Sequence, residues 1–363
     1  MKLKIRFEKR EQVTPLLQTL IPILCILLAF VLIGVILLCM GYSPLHTYRY
    51  VFSGAFGSWY NISESILQSI PLMLASLGVA AALSMSTMNI GAEGQYAMGA
   101  WAATGVACFC KFIPEPLVLP CMILAGFLAG ALWGMLAVYP SSRWGVNETI
   151  TTLMFNYIAL QWNDYFVYGP WRDASALNLP ISPVVPGYAQ FPTLFGTRIH
   201  TGLFIGIFAA VVLYIFLQKS AKGYEIRVIG QNRKAAKYAG MNIGVTMMLV
   251  MLLSGGLAGL AGVAQIGGAG KKLITNVAGG AGYTALVIAR LAKNNPLLIV
   301  VISLLFGGLA QGSYSLQMAG VPYQMAQMLQ GAILFCALGG ELFVTHRLTV
   351  AVVRTRPEEK EAV

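Results

Sequence analysis

The chain has 363 residues, of which 57% are hydrophobic and only 10% charged. A soluble domain carries about 25% charged residues, so water is excluded as the main solvent and a bilayer is the environment that fits. The net charge of +11 raises nucleic acid as a partner, a reading that the placement of the basic residues must support or remove.

A membrane helix needs about 20 consecutive apolar residues, because lipid offers the backbone no hydrogen-bond partner. Windows of that kind lie at 16–40, 66–87, 95–111, 117–138, 150–168, 200–218, 245–266, 275–291, 296–315 and 324–345. The windows at 95 and 275 are short and bear glycine, as broken or re-entrant helices do, so the count is eight to ten. The expected fold is all-α, a polytopic membrane protein of about ten transmembrane helices. A basic N-terminus (1–15) precedes one membrane domain (16–346), and a short tail follows (347–363). The first apolar run is too long for a signal peptide and no small-x-small site follows Met40, so it reads as an uncleaved helix.

With the N-terminus inside, 18 of the 24 Lys and Arg residues fall on the cytoplasmic side: Lys2 to Arg10, Arg143, Lys219 to Lys237, Arg290, Lys293 and Arg347 to Lys360. Only Arg49, Lys111, Arg172, Arg198, Lys271 and Lys272 lie outside. This is the positive-inside bias. It places both termini in the cytoplasm and leaves no basic domain for a nucleic acid; the lipid bilayer is the partner the charge addresses. The six cysteines (Cys25, Cys39, Cys108, Cys110, Cys121, Cys336) lack zinc-site or disulfide spacing and read as small packing residues. No metal site is expected.

In chain order, the first polar group at membrane depth is Asn89, Glu93 and Gln95, flanked by Gly91 and Gly94 at the junction of two apolar spans. Ionisable residues there are costly and face a cavity or a partner. A pathway or gating role and a helix-end cap both fit. Gly126, Gly130 and Gly134 stand four apart on one helical face, as do Gly255 and Gly259, a row that lets helix backbones approach closely. Asn147, Glu148, Thr149, Thr151, Thr152 and Asn156 open the fifth span. Glu148 suits a helix N-terminus, while Thr152 and Asn156 share one face a turn deeper and are candidates for lining a polar path, together with Asn147.

Two hydrophilic segments follow. The outer one, 168–199, is rich in proline and aromatics and too short to be a domain. The inner one, 219–244, is basic. Its centre, Arg233 to Tyr238, is helical in composition between Gly230 and Gly240, with Ala235, Ala236 and Ala239 on a small-residue face that can dock on a partner.

The chain also repeats itself. "LASLGVAAALS" (74–84) matches "LLSGGLAGLAG" (252–262), "NIGAEGQY" (89–96) matches "NVAGGAGY" (276–283) and brings in Asn276, and Gly145-Val146 matches Gly320-Val321. The copies, about 66–168 and 245–345, enter from opposite sides and are therefore inverted repeats, a transporter signature. Two opposed halves give near-equivalent inward-open and outward-open packings, which a solute path needs and an enzyme does not. No catalytic constellation is present: the three histidines are scattered, and "GGAGKK" (267–272) has Lys272 where a phosphate-binding loop requires Ser or Thr. No cofactor is expected on this chain.

Taken together, "NIGAEGQYAMGAWAAT" (89–104), "GVNETITTLMFNYIA" (145–159) and "GQNRKAAKYAGMNI" (230–243) followed by "LLSGGLAGLAG" resemble the membrane permease subunits of ABC importers in the branched-chain amino acid and ribose permease superfamily. The likeness runs from about 16 to 346 and is nearest to the nucleoside or simple-sugar branch. It implies a vitamin B12 or ribose permease-like fold in the cell membrane. It also implies ABC ATPase subunits that hold ATP and magnesium, an extracytoplasmic substrate-binding protein, and a second, different permease, this chain being the longer of the pair. It further makes 230–243, with Gly230, Asn232, Arg233, Ala235, Ala236, Tyr238 and Gly240, the segment that couples to the ATPase. The alternative from the residues alone is an ion-coupled secondary transporter, motivated by the repeats and by Glu93 and Asn89.

Overall fold

The computed structural model describes residues 2–9, 15–194, 196–318, 328, 331–333, 335–336, 339–340 and 346–353. The expected span at 324–345, the second copy's Gly320-Val321 and the end of the tail from 354 therefore lie largely or wholly outside the described residues.

The chain divides into two compact units, one of residues 1–48 and 322–363, the other of 49–321. The first unit holds α1 (Pro15–Cys39) and an antiparallel ribbon of β1 (Lys2–Lys9) with β2 (His346–Val353). The register sets Leu3, Ile5 and Phe7 opposite Val352, Val350 and Leu348. Among the described residues this ribbon adds two strands to the expected all-helical class. Apolar and polar residues alternate from Lys2 to Glu8, the period of a strand, and the basic reading of the N-terminus passed over that alternation.

After α2 (Pro44–Phe56), the second unit contains α3 (Trp59–Ser84), α4 (Ala92–Thr104), α5 (Glu115–Trp144), α6 (Glu148–Tyr168), α7 (Gly202–Lys219), α8 (Ala221–Gln231), α9 (Arg233–Tyr238), α10 (Ile243–Ala264), α11 (Ala281–Leu291) and α12 (Pro296–Met318). Among the described residues five helices are long and apolar enough to cross a membrane: Trp59–Ser84, Glu115–Trp144, Gly202–Lys219, Ile243–Ala269 and Pro296–Gln317. Short π-helical turns extend α4 (Gly105–Phe109) and α10 (Gln265–Ala269).

The arrangement of partners follows the sequence repeat. α10 packs on α3, α4 and α5; α3 packs on α10, α11 and α12. Under the matched segments α3 corresponds to α10, α4 to α11 and α5 to α12, so each helix meets the counterparts of the other's neighbours. Two interfaces are made by glycine backbones in contact. A Cβ on Gly99 of α4 would lie 2.4 Å from Gly259 Cα of α10, a distance that no side chain tolerates. One on Gly130 of α5 would lie 2.3 Å from the Gly255 carbonyl oxygen. Gly126 and Gly134 of the same α5 row bear on Val263 and on the Met251 carbonyl. Such contacts let helices associate in lipid, where apolar burial gives no preference for protein over acyl chain.

The two ends of this unit differ. At one end Ser86, just after α3, donates its hydroxyl to the Gly230 carbonyl at the α8–α9 junction. At the other, the proline-rich segment is no free loop. Ser182 donates its N–H to the Leu273 carbonyl, Val185 to Lys271 and Phe191 to Gly267. Val185, Ala189 and Phe191 are buried in a cluster with Ala107, Val118 and Met122. This strap covers the end of α4, the start of α5 and the end of α10.

Candidate functional site

The polar residues of 89–95 and 152–156 converge on one place, with partners drawn from α4, α6, α10 and α11. Asn89 donates its side-chain amide to Ser254 Oγ at 2.8 Å and to Gln95 Oε1 at 3.0 Å, and Gln95 Nε2 returns a bond to Asn89 Oδ1 at 3.2 Å. Ser254 is the twelfth residue of the 22-residue α10. At about 1.5 Å per residue it lies about 16 Å along the helix, near its midpoint. The chain therefore drops from α3 to the level of Ser86, turns back, and starts α4 at mid-depth.

α11 starts at the same depth from the opposite side. After the strap contact at Leu273 the chain turns inward, and Gly280 (φ +88°) forms the N-cap of α11. Glu93, in the first turn of α4, spans the junction: Oε1 accepts from the Gly280 N–H at 2.7 Å and Oε2 from the Gly282 N–H at 2.7 Å. A Cβ on Gly282 would lie 2.3 Å from Glu93 N, so only glycine admits the approach. Glu93 thus caps another helix than its own.

α6 completes the junction. Asn156 Oδ1 accepts from the Gly94 N–H at 2.8 Å, and Nδ2 donates to the Ile90 carbonyl at 2.7 Å. Thr152 donates to the Glu148 carbonyl in its own helix at 2.7 Å. Both side chains are fully buried against α4. Gly91 and Gly94 bring the α4 backbone so close that Thr152 and Asn156 fill the gap, and Asn156 satisfies groups freed by the break. Asn147 lies apart from them. It is exposed and caps α6 by accepting from the Thr149 N–H. The outward face of α6 instead carries Tyr157, Gln161, Trp162 and Tyr165 along an open groove.

Asn276 does not mirror Asn89. It is exposed in a left-handed turn (φ +50°), and it is its backbone N–H that bonds, to Asp164. Asn163 Nδ2 donates to the neighbouring Ile274 carbonyl at 3.0 Å. Asn163 and Asp164 were missed in the sequence; the signal was two adjacent polar residues within an apolar span. Ser254 and Tyr283 were quoted only as repeat matches. Ser254 proves to be a partner of Asn89, and Tyr283 OH lies 3.5 Å from Asn156 Nδ2.

The basic segment forms the second element. Asn232 caps α9, accepting from the Lys234 and Ala235 N–H groups, and Gly240 leaves it at φ +78°. Arg233, Lys234, Ala235, Lys237, Tyr238 and Ala239 are exposed, Tyr238 to 94%. Ala236 is buried and Gly230 is packed on the Ser84 carbonyl. These two are corrected from docking surface to internal contacts, because a one-turn-and-a-half helix must seat one face on the bundle to be held at all. The Arg233 guanidinium meets Glu148 Oε1 at 3.3 Å, tying α9 to the first turn of α6 beside a groove of about 450 Å³ that Asn147 and Gly244 also line. Glu225 of α8 accepts from Thr246 of α10 at 2.7 Å and pairs with Lys222 at 2.6 Å. Hydrogen bonds from Lys222, then from Thr246, hold the Glu225 carboxyl below its ordinary range. No cluster of metal ligands occurs among the described residues.

The protein-family model described as branched-chain amino acid transport system / permease component matches residues 61–338. The chain is 32% identical to the glucose ABC transporter permease protein TsgB13 of Haloferax volcanii, over 98% of its own length and 96% of the relative's. It is 31% identical to the guanosine ABC transporter permease protein NupP of Bacillus subtilis, over 94% and 97%. It is 29% identical to the nucleoside ABC transporter permease protein NupB of Lactococcus lactis, over 88% and 90%.

Proposed function

The chain belongs to the branched-chain amino acid transport system permease component family, and on that premise we propose that it forms the solute pathway of an ATP-driven importer for a nucleoside or simple sugar. It is an integral membrane transport subunit and not an enzyme, since the family is one of transporter permeases. ATP and magnesium sit on partner ATPase subunits, a binding protein delivers the solute, and a second, different permease completes the pathway. Relatives that move guanosine, nucleosides and glucose support the cargo class.

The observation that carries the reading is α9. A capped, basic helix that exposes Tyr238 to 94% while seating Ala236 on the bundle is built to be pushed from outside. Its tie through Arg233 and Glu148 delivers that push to α6, and α6 holds the start of α4 through Asn156. With α9 on the cytoplasmic side, the basic bias of the sequence puts both termini there. Inverted repeats supply the second packing, and the row of three glycines on α5, Gly126, Gly130 and Gly134, lets the halves slide on close backbone contacts. The outward strip of Tyr157, Gln161 and Tyr165 on α6 lines the path against the second permease, while Asn89, Gln95 and Thr152 form the framework behind it.

The test is uptake of labelled guanosine and glucose by proteoliposomes holding the whole complex. ATP-dependent uptake of one of them is expected, and replacing Lys234, Lys237 and Tyr238 together by Ala should abolish it while leaving the melting temperature of the chain unchanged. Uptake by this chain alone under an ion gradient, without ATP, would overturn the proposal in favour of a secondary transporter.

A further inference from the structure

Glu93 is the one carboxylate among the described residues that is almost wholly buried (1% exposed) and has no ion-pair partner. A buried charge of that kind persists only where fixed dipoles replace water. Both of its oxygens accept backbone N–H bonds, each at 2.7 Å, and the Tyr283 N–H is a third donor. The bond lengths are those of charge-assisted bonds. Each oxygen thus meets a backbone donor, the arrangement that an ionised carboxylate, an acceptor only, satisfies best.

The N–H donors belong to the first turn of α11, and Glu93 itself sits in the first turn of α4. Two helix N-termini, each with the partial positive charge of its unpaired N–H groups, thus face one another at mid-depth with one carboxylate between them. In the sequence repeat Glu93 is the counterpart of Gly280, the residue whose N–H it binds. The carboxylate therefore lies where the two copies meet, and only one copy carries it. A second acid at 280 would place two like charges in the same cradle.

We propose that Glu93 is a built-in counter-anion that latches half-helix α4 to half-helix α11, and that its negative charge, beyond its shape, is what holds the junction of the two repeats. Glu93 is thus a positioning residue. Elsewhere such opposed half-helix ends can receive an anion from outside; here the protein fills the place itself, so the mid-depth break is closed to solute anions and neutral cargo has no competitor there. Only this last consequence rests on the transporter reading.

The experiment uses the purified chain in detergent and needs no transport. Glu93→Ala opens a carboxylate-sized space between two helix N-termini, and a melting temperature at least about 5 °C below wild type is expected. Sodium formate, added against equal sodium chloride, should restore more than half of that loss in a saturable way while leaving wild type unmoved. Glu93→Gln keeps the shape without the charge; it should melt low and gain nothing from formate, because the amide occupies the space. Should Glu93→Ala fail to yield folded protein, Glu93→Gln alone decides. A Glu93→Gln variant as stable as wild type, or a Glu93→Ala variant that formate does not rescue, overturns the latch. Uptake by the same variants in the complex is measured separately. Loss of uptake in wild type would speak against the transport function, and failed rescue against the latch.

Discussion

Replacing Asn156 by Ala removes the side chain that hydrogen-bonds α6 to the break before α4. The amide accepts from the Gly94 N–H at 2.8 Å and donates to the Ile90 carbonyl at 2.7 Å, and it is fully buried. Truncation leaves two buried backbone groups without partners, at about 1–3 kcal/mol each. Measured bonds between membrane helices average about 0.6 kcal/mol, because the unfolded chain in lipid finds other partners. The larger scale applies to Asn156. Its Cα already stands where a Cβ on Gly94 would be 2.9 Å away, so the two backbones are in contact and the freed groups stay buried, and a destabilisation of about 2–4 kcal/mol is expected. Unfolding in mixed micelles, followed by tryptophan fluorescence, measures it. Asn156→Asp serves as the second arm: it keeps an acceptor for Gly94 but turns another acceptor on the Ile90 carbonyl, and it should be at least as unstable. If both variants lie within about 0.6 kcal/mol of wild type, the average for one such bond, the amide does not hold the junction and the chain of contacts from α9 to α4 is broken at this residue.

Gly130→Val should destabilise the α5–α10 interface by at least about 1–3 kcal/mol, the cost of overpacking, because the atoms met are backbone and cannot rotate away; Gly187→Ala, where nothing lies within 4 Å of the added Cβ, should melt as wild type. For Glu225 the folded pKa is depressed, so its contribution is present above the unfolded value of about 4.3 and is lost as pH falls through the folded value. Amide exchange in α8, corrected for intrinsic rates, should rise on acidification below about pH 4.3, and Glu225→Gln should flatten that dependence.

Much of the helix inventory was legible in the residues. The apolar windows at 117 and 296 became α5 and α12, and Arg233–Tyr238 came out with the bounds read from its composition. α2 and α8 were not foreseen, since neither is apolar enough to stand out as a span. The repeat was visible as matched strings, and α3, α4 and α5 do meet the counterparts of one another's partners. What the strings could not say is that Asn89 and Asn276, the first residues of the matched pair, differ in use. One is a buried hydrogen-bonded amide and the other an exposed turn residue.

Composition and periodicity alone settled that this chain lives in lipid and in helices, because transfer from water to hydrocarbon is a property of each segment by itself. Tertiary structure decided the rest. Glu93 binds a backbone 187 residues away, and Asn156 one 62 away. A polar group in a membrane has to find its partner wherever the fold brings one within 3 Å, and no local pattern records which that is.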